Sequence, residues 1–239
     1  MGISHHLQKT YGQKFLRERG HFGGVSSGAA TAGYLAGSAH GYLDVEQWYR
    51  EHVRTVYTSA EKSPFGVWWG TSKIIWRLGA RFYDICHEKG KPFLKHSYHT
   101  AVTTLPDFRS RIIDRFRRRE DFGDAMCATT FIPAVTGRSF WARCGSHSRC
   151  IDGGIAHPVP VHPKKEEYPT LMLDVIGIAK YHPRSSDLHL ILTQRWRKLP
   201  LRHFWTQGTP GWADEMFRKG KEDAHRHRRE IDRFFQKIK

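Results

Sequence analysis

A serine flanked by glycines, in the stretch Gly24-Val25-Ser26-Ser27-Gly28, is the strongest chemical signal in this sequence. The spacing is that of a nucleophile elbow, in which a serine lies on a sharp turn between a strand and a helix and exposes its hydroxyl. Gly24 would let the strand end pass close to the helix, and Gly28 would keep the turn clear of a side chain. An ordinary glycine- and serine-rich turn has the same pattern, so the motif needs a second element.

The second element is a carboxylate followed by two glycines, Asp152-Gly153-Gly154, more than half of the chain length downstream. The two glycines suit a strand-to-loop junction at which the backbone approaches a neighbour and the carboxylate points back at a partner. Taken alone, the tripeptide is a common turn signal. Only a folded chain could bring Asp152 to Ser26.

The segments between these two elements extend the pattern in a fixed order, at 101–106, 112–116, 119–122 and 125–133. With Ser26 and Asp152 they resemble the patatin-like phospholipase family, in the eukaryotic branch that contains adipose triglyceride lipase and adiponutrin. The resemblance covers residues 1 to about 162. It implies an α/β fold, a three-layer α/β/α sandwich with a mostly parallel central sheet.

The resemblance also implies the chemistry. Ser26 would be the nucleophile and Asp152 its base, with no histidine between them, and the backbone N–H of Ser27 would contribute to the oxyanion hole. The expected activity is hydrolysis of acylglycerols or phospholipids through an acyl-enzyme, without cofactor or metal. The motif glycines would be Gly24, Gly28, Gly153 and Gly154.

The sequence departs from the family pattern at its start, where the family carries a glycine-rich oxyanion loop. This chain begins too late to contain the loop, and Gly2 would match its last glycine and be a further candidate donor. Two alternatives to a hydrolase follow. One is a non-catalytic lipid-surface binding protein with the same fold, and the other is an incomplete gene product.

A Ser-His-Asp triad is the competing catalytic interpretation. The chain has 16 histidines, and His21, His157 or His162 could serve. The order serine, aspartate, histidine would suit an α/β-hydrolase with His157 or His162. No histidine lies in a recognisable triad context, which favours the Ser26–Asp152 dyad.

The formal charge of +16 predicts an anionic partner. No nucleic-acid-binding motif is present, so a membrane or lipid-droplet surface is favoured over nucleic acid. The sequence has no signal peptide and no apolar run of membrane-spanning length, which predicts a cytoplasmic protein bound peripherally. The four cysteines, Cys86, Cys127, Cys144 and Cys150, lack metal-binding spacing and are expected to be reduced.

Hydrophobic periodicity predicts the elements that position these residues. Helices are expected at 5–18, 27–37, 43–57, within 63–83 and from 212 to the end, and strands at 21–25, 101–105, 151–155, 171–178 and, as a strand or short helix, 188–193. The tryptophan-rich segment 63–83 is expected to be a buried helix, with a membrane-seeking segment as the alternative. We expect an acyl hydrolase domain over 1–200 and a basic helical tail over 201–239.

Overall fold

The structure is a computed structural model that describes residues 1–54, 58, 71–88, 94, 97–160, 168–174, 187–192 and 210–238. It has a mixed α/β fold. The helices are α1 Gly2–Arg19, α2 Ser27–Ala39, α3 Val45–Trp48, α4 Thr71–Glu88, α5 Arg119–Thr129, α6 Gly153–Ala156, α7 Pro210–Arg226 and α8 Arg228–Gln236. The strands are β1 Phe22–Gly24, β2 Tyr98–Thr104, β3 Arg109–Ile113, β4 Ala142–Cys144, β5 His147–Asp152, β6 Leu171–Asp174 and β7 Leu188–Ile191.

Most predicted elements are present, with changes at their ends. The helix expected at 43–57 begins as α3, which the Asp44 carboxylate caps, and continues as a π-helical turn over Tyr49–Val53. Parts of the predicted elements, at 55–57, 63–70, 175–178, 193 and 239, lie outside the described residues. The strand expected at 151–155 is wrong in its second half, because β5 ends at Asp152 and α6 begins at Gly153.

Strand β2 is the centre of a five-stranded sheet. Along one edge it pairs with β3, which is antiparallel and runs from Thr100↔Ile113 to Thr104↔Arg109. Beyond β5, the sheet continues with antiparallel β4, and β6 and β7 form a separate parallel pair. The expectation of a mostly parallel central sheet is wrong for the described residues, since β1–β2 is the one parallel pairing in this sheet.

The other edge of β2 is divided between two strands. Parallel β1 occupies its first half and ends with Gly24 opposite Thr100. Antiparallel β5 occupies its second half and ends with Asp152 opposite Val102. Because the two strands run toward each other along the same edge, their last residues meet beside Ala101. The sheet therefore brings the two sequence motifs together.

The main core lies between the sheet and the helices α2, α4 and α5. The small residues of α2 let large aromatic rings pack against its backbone: a Cβ on Gly37 would lie 2.7 Å from the Phe82 ring, and one on Gly33 would lie 3.5 Å from Tyr98. Phe82, Tyr98 and Phe122 are almost fully buried. The alanine- and glycine-rich run after the elbow thus packs closely, as the sequence predicts.

The C-terminal helices pack on α1 in a second core. Ile231, Phe234 and Phe235 of α8 are buried with Leu7 and Leu16 of α1. The Tyr11 hydroxyl also donates a hydrogen bond to the Asp232 carboxylate at 2.5 Å. Residues on both sides of the expected boundary at residue 201 share this core, since α7 and α8 pack against α1.

Two further features bear on the sequence expectations. Within the described residues, no helix combines the length and apolar character needed to cross a membrane. All four cysteines are free thiols. Burial raises the pKa of Cys127 to about 11 and that of Cys144 to about 12, so both thiols are protonated at neutral pH.

Candidate active site

Ser26 occupies a strained turn between a strand and a helix. Strand β1 ends at Gly24 and α2 begins at Ser27, so Ser26 is the N-cap of α2. Its backbone has φ 55° and ψ −137°, a conformation that residues with a side chain rarely adopt. Such strain persists only where the surrounding structure enforces it, and it concentrates at functional sites. The geometry is that of the predicted nucleophile elbow.

The two motif glycines have different roles. A Cβ on Gly24 would lie 2.5 Å from the carbonyl carbon and oxygen of Gly28 and 2.7 Å from the backbone nitrogen of Ala29. Only glycine allows β1 to pass this close to the first turn of α2. A Cβ on Gly28 would meet nothing within 4 Å. The steric role expected for Gly28 is therefore wrong. The position that must lack a side chain is Gly24, because the backbone of Gly28 lies against it.

Buried threonines hold the elbow in place. The Ser26 N–H points at Thr129, whose carbonyl oxygen is 3.1 Å away and whose hydroxyl oxygen is 3.2 Å away. The Thr129 hydroxyl in turn donates to the Ala101 carbonyl at 2.7 Å. The Thr100 hydroxyl donates to the Gly24 carbonyl at 2.9 Å. These contacts anchor both the last residue of β1 and the strained residue itself to β2.

Asp152 is fixed by hydrogen bonds to its backbone and to one carboxylate oxygen. Its N–H donates to the Phe131 carbonyl, and its carbonyl accepts from the Thr103 hydroxyl, each at 2.8 Å. The N–H of Gly154 donates to Oδ1 at 2.8 Å, which caps α6. A Cβ on Gly153 would lie 2.1 Å from the Ala101 carbonyl oxygen, so this position requires glycine.

The second carboxylate oxygen of Asp152 remains available. The side chain is 6% exposed, and Oδ2 has no hydrogen bond of standard geometry to any described residue. Burial raises the pKa of Asp152, while the Ser26 hydroxyl and the Gly154 N–H oppose part of the rise. The Ser26 hydroxyl therefore lies beside the Asp152 carboxylate and interacts with it. A carboxylate of raised pKa is a stronger base than an ordinary one.

The predicted oxyanion donor Ser27 lies at the start of α2. Ser27 is the first residue of α2, its N–H has no acceptor among the described residues, and its side chain is exposed. The positive end of the helix dipole also stabilises negative charge at this position. Gly2, the other candidate donor, lies in the first turn of α1 against α7, where a Cβ would be 2.2 Å from the Phe217 carbonyl oxygen. Packing against α7 accounts for glycine at this position.

The histidines proposed for a triad have other surroundings. His21 Nε2 lies 2.8 Å from His99 Nδ1, and the His99 ring also contacts the Pro160 carbonyl. His157 is exposed on the segment after α6. His162 lies outside the described residues. No histidine among the described residues is hydrogen-bonded to Ser26 or raises or lowers the pKa of Asp152.

Sequence reasoning missed the threonines that build this site. Thr100, Thr103 and Thr129 are nearly or fully buried. A signal was present, because β2 has the sequence Tyr-His-Thr-Ala-Val-Thr-Thr and is buried along its whole length. Polar residues buried in a strand must find hydrogen-bond partners, and here the partners are the elbow and the Asp152 backbone.

The described residues offer no metal site, since they contain no group of three or more histidine, cysteine or acidic side chains able to hold a metal ion. Two shallow grooves, of about 350 Å³ beside Tyr11 and Phe15 and about 460 Å³ beside Lys221 and His225, lie away from the dyad. Neither groove is lined by a serine, threonine or cysteine.

A comparison with models of known protein families gives no match, and no curated protein matches the sequence significantly. The geometry itself defines a serine–aspartate pair at the junction of two converging strands. Such a pair has the parts of a covalent hydrolase site: a nucleophile on an elbow, an adjacent base and a helix N-terminus.

Proposed function

We propose that this protein is a lipid acyl hydrolase of the patatin-like phospholipase type, with Ser26 as nucleophile and Asp152 as base. The observation that carries the proposal is the strained Ser26 facing a buried carboxylate of raised pKa. The proposal includes the three-layer α/β/α arrangement of that family, with the mixed sheet described above at its centre. It needs no metal or cofactor.

The reaction would run in two steps. Asp152 Oδ2 accepts the hydroxyl proton as Ser26 Oγ attacks the ester carbonyl carbon. The alcohol leaves with the proton from Asp152, and the acyl group remains on Ser26. A water molecule then gives a proton to Asp152 and attacks the acyl-enzyme, and the fatty acid leaves as Ser26 recovers its hydrogen. The Ser27 N–H stabilises the oxyanion of both tetrahedral intermediates.

Acylglycerols and phospholipids are the proposed substrates, reached at a membrane or lipid-droplet surface from the cytoplasm. The formal charge of +16 favours a surface that carries phosphate. Ser26 lies between its interaction with the Asp152 carboxylate and the helix that begins at Ser27, so an ester attacked by Ser26 would lie near both.

The adjacent serines provide a matched test. Ser26→Ala removes the nucleophile, whereas Ser27→Ala removes an exposed hydroxyl and keeps the backbone N–H. With a p-nitrophenyl ester and with triolein, Ser26→Ala should lower the rate by at least about 1,000-fold, and Ser27→Ala should leave it within a few-fold. Equal rates for Ser26→Ala and the unmodified protein would exclude Ser26 as the nucleophile.

A non-catalytic lipid-surface binding protein is the second candidate. The observation that favours it is the position of Gly2, since this second predicted oxyanion donor packs against α7 and leaves Ser27 as the one predicted donor at the dyad. Loss of one such donor commonly slows a reaction by about 100- to 1,000-fold. Salt-sensitive binding to anionic vesicles, with no ester hydrolysis by the unmodified protein, would support this candidate over the hydrolase.

A further inference from the structure

Large apolar side chains are exposed around the strand that carries Asp152. Of the seven large hydrophobic side chains that the described residues expose, four lie beside this strand. Phe140 and Trp141 are 74% and 40% exposed and directly precede β4, whose Ala142 pairs with Cys150 of β5. They therefore flank the last residues of β5.

The other two apolar side chains flank Asp152 along the chain and across a hydrogen bond. Ile155 lies on α6, three residues after Asp152, and is 53% exposed. Ile132 follows Phe131, whose carbonyl accepts the Asp152 N–H. Each of these exposed apolar side chains would be stabilised by transfer from water into an apolar layer.

Unpaired arginines lie among these apolar side chains. The Arg149 guanidinium stacks on the Trp141 ring, 4.9 Å from its centroid. Neither Arg143 nor Arg149 has a carboxylate within ion-pair distance in the described part of the chain, whereas Arg109 and Arg111 on β3 both face Asp107 at 3.6 Å. The two unpaired charges are thus free to meet external anions. We call this set the interfacial patch: Ile132, Phe140, Trp141, Arg143, Arg149 and Ile155.

We propose that the interfacial patch docks this protein on an anionic lipid surface. Arg143 and Arg149 meet the lipid phosphates, while the apolar side chains enter the boundary between headgroups and acyl chains. Because Ile132 and Ile155 lie on either side of Asp152, docking in this orientation brings the lipid beside the strand end that carries the dyad. The inference rests on the proposed function only in making the same lipid the substrate, since docking itself needs no turnover.

Aliphatic side chains distinguish a lipid surface from single-stranded nucleic acid as the occupant. Aromatic rings with arginines could stack on bases. Ile132 and Ile155 have no flat face for stacking on a base. Their transfer from water into an apolar layer is favourable. Their position on either side of Asp152 therefore favours lipid.

The test measures co-sedimentation with vesicles of phosphatidylcholine alone and of phosphatidylcholine with phosphatidylserine, at low and high salt. Ser26→Ala protein is used beside the unmodified protein. We expect both to bind the anionic vesicles and to release them at high salt. Because Ser26→Ala has no nucleophile, its binding reports docking alone, and hydrolysis of a soluble ester by the unmodified protein reports the proposed function alone.

Two double variants separate the parts of the patch. Arg143→Glu with Arg149→Glu should weaken anionic-vesicle binding by at least about 25-fold, from about fivefold for each arginine. Arg229→Glu with Arg233→Glu, on exposed positions of α8, makes the same change in net charge and should weaken it only a few-fold. Phe140→Ala with Trp141→Ala should weaken binding on the order of tenfold while keeping its salt dependence. Tyr168→Ala with Ile191→Ala is the apolar control and should have little effect.

Several results would overturn the proposal. Equal losses from the two charge-reversal pairs would mean that only net charge matters. If the Phe140→Ala, Trp141→Ala variant unfolds at the same temperature as the unmodified protein and binds equally well, the patch is not the lipid-binding surface. Phe140→Ala alone replaces the double variant if the latter does not fold. Tighter binding of a single-stranded RNA oligonucleotide, lost in the same variant, would assign the patch to nucleic acid.

Discussion

The two glycines of the elbow should respond oppositely to alanine. A Cβ on Gly24 would lie 2.5 Å from backbone atoms of Gly28, so the first turn of α2 would have to move by roughly 1 Å to reach ordinary van der Waals separation. Backbone atoms cannot rotate away as a side chain can. We therefore expect Gly24→Ala to reduce the free energy of unfolding by about 1–3 kcal/mol.

Gly28→Ala is the matched control. A Cβ there meets nothing within 4 Å, and the residue is the second in α2. Alanine is favoured over glycine in a helix by up to about 1 kcal/mol. Gly28→Ala should therefore leave the stability unchanged or raise it slightly.

Thermal unfolding measures both effects. A chain of this size shifts its Tm by about 2–4 °C for each kcal/mol, so Gly24→Ala should unfold about 2–12 °C lower and Gly28→Ala at the same temperature or a few degrees higher. A 1 Å displacement of the nucleophile can cost about 100-fold in rate, so ester hydrolysis should fall with Gly24→Ala. A Tm unchanged by Gly24→Ala, or equal losses from both variants, would refute the reasoning.

Three further predictions test the carboxylate, the buried threonine and the second core. Because the pKa of Asp152 is raised on folding, its stabilising contribution is present below the unfolded pKa of about 4 and is lost as pH rises through the folded pKa. Asp152→Asn cannot ionise, so it should unfold at a higher temperature than the unmodified protein at pH 8. At pH 3 the two should unfold at the same temperature. The same variant should lower hydrolysis by at least about 100-fold, and a lower Tm at pH 8 would contradict the proposed burial penalty. Thr129→Val should lower the free energy of unfolding by about 1–3 kcal/mol because the Ala101 carbonyl loses its side-chain donor. Thr129→Ser keeps the hydroxyl and should lower it less. Urea unfolding measures both variants, and equal losses would mean that the hydroxyl has no role. Ile231→Ala should lower the free energy of unfolding by about 2–5 kcal/mol, and the protein should still unfold in a single cooperative transition. Arg229→Ala, at an exposed position, is the control. Two separate transitions would indicate that α7 and α8 form an independent unit.

The elbow could be predicted from sequence because its determinants are local. The spacing of Gly24, Ser26 and Gly28 predicts a turn between a strand and a helix, and the structure has β1, Ser26 and α2 in that order. The reason given for Gly28 was wrong, because which atoms approach which glycine depends on the angle between strand and helix. That angle is a property of the packed core.

The position of Asp152 needed the tertiary structure. Its motif predicts a strand-to-loop junction, but the strand was expected to continue to 155. It ends at Asp152 because the carboxylate caps α6 and because Gly153 lies against the Ala101 carbonyl. Both causes involve backbone atoms that pattern reasoning does not see.

The sequence by itself therefore determined the nucleophile turn, the candidate base and most of the helices, since these depend on spacing and periodicity within a few residues. Tertiary structure decided which strands share the divided edge of β2, in which direction they run, and that Thr100, Thr103 and Thr129 would hold Ser26 and Asp152 in place. It also placed α8 against α1, where Ile231 and Phe235 are buried. Strand pairing and core sharing join residues that are far apart in the chain, and their free energy comes from packing and buried hydrogen bonds that exist only once the chain has folded.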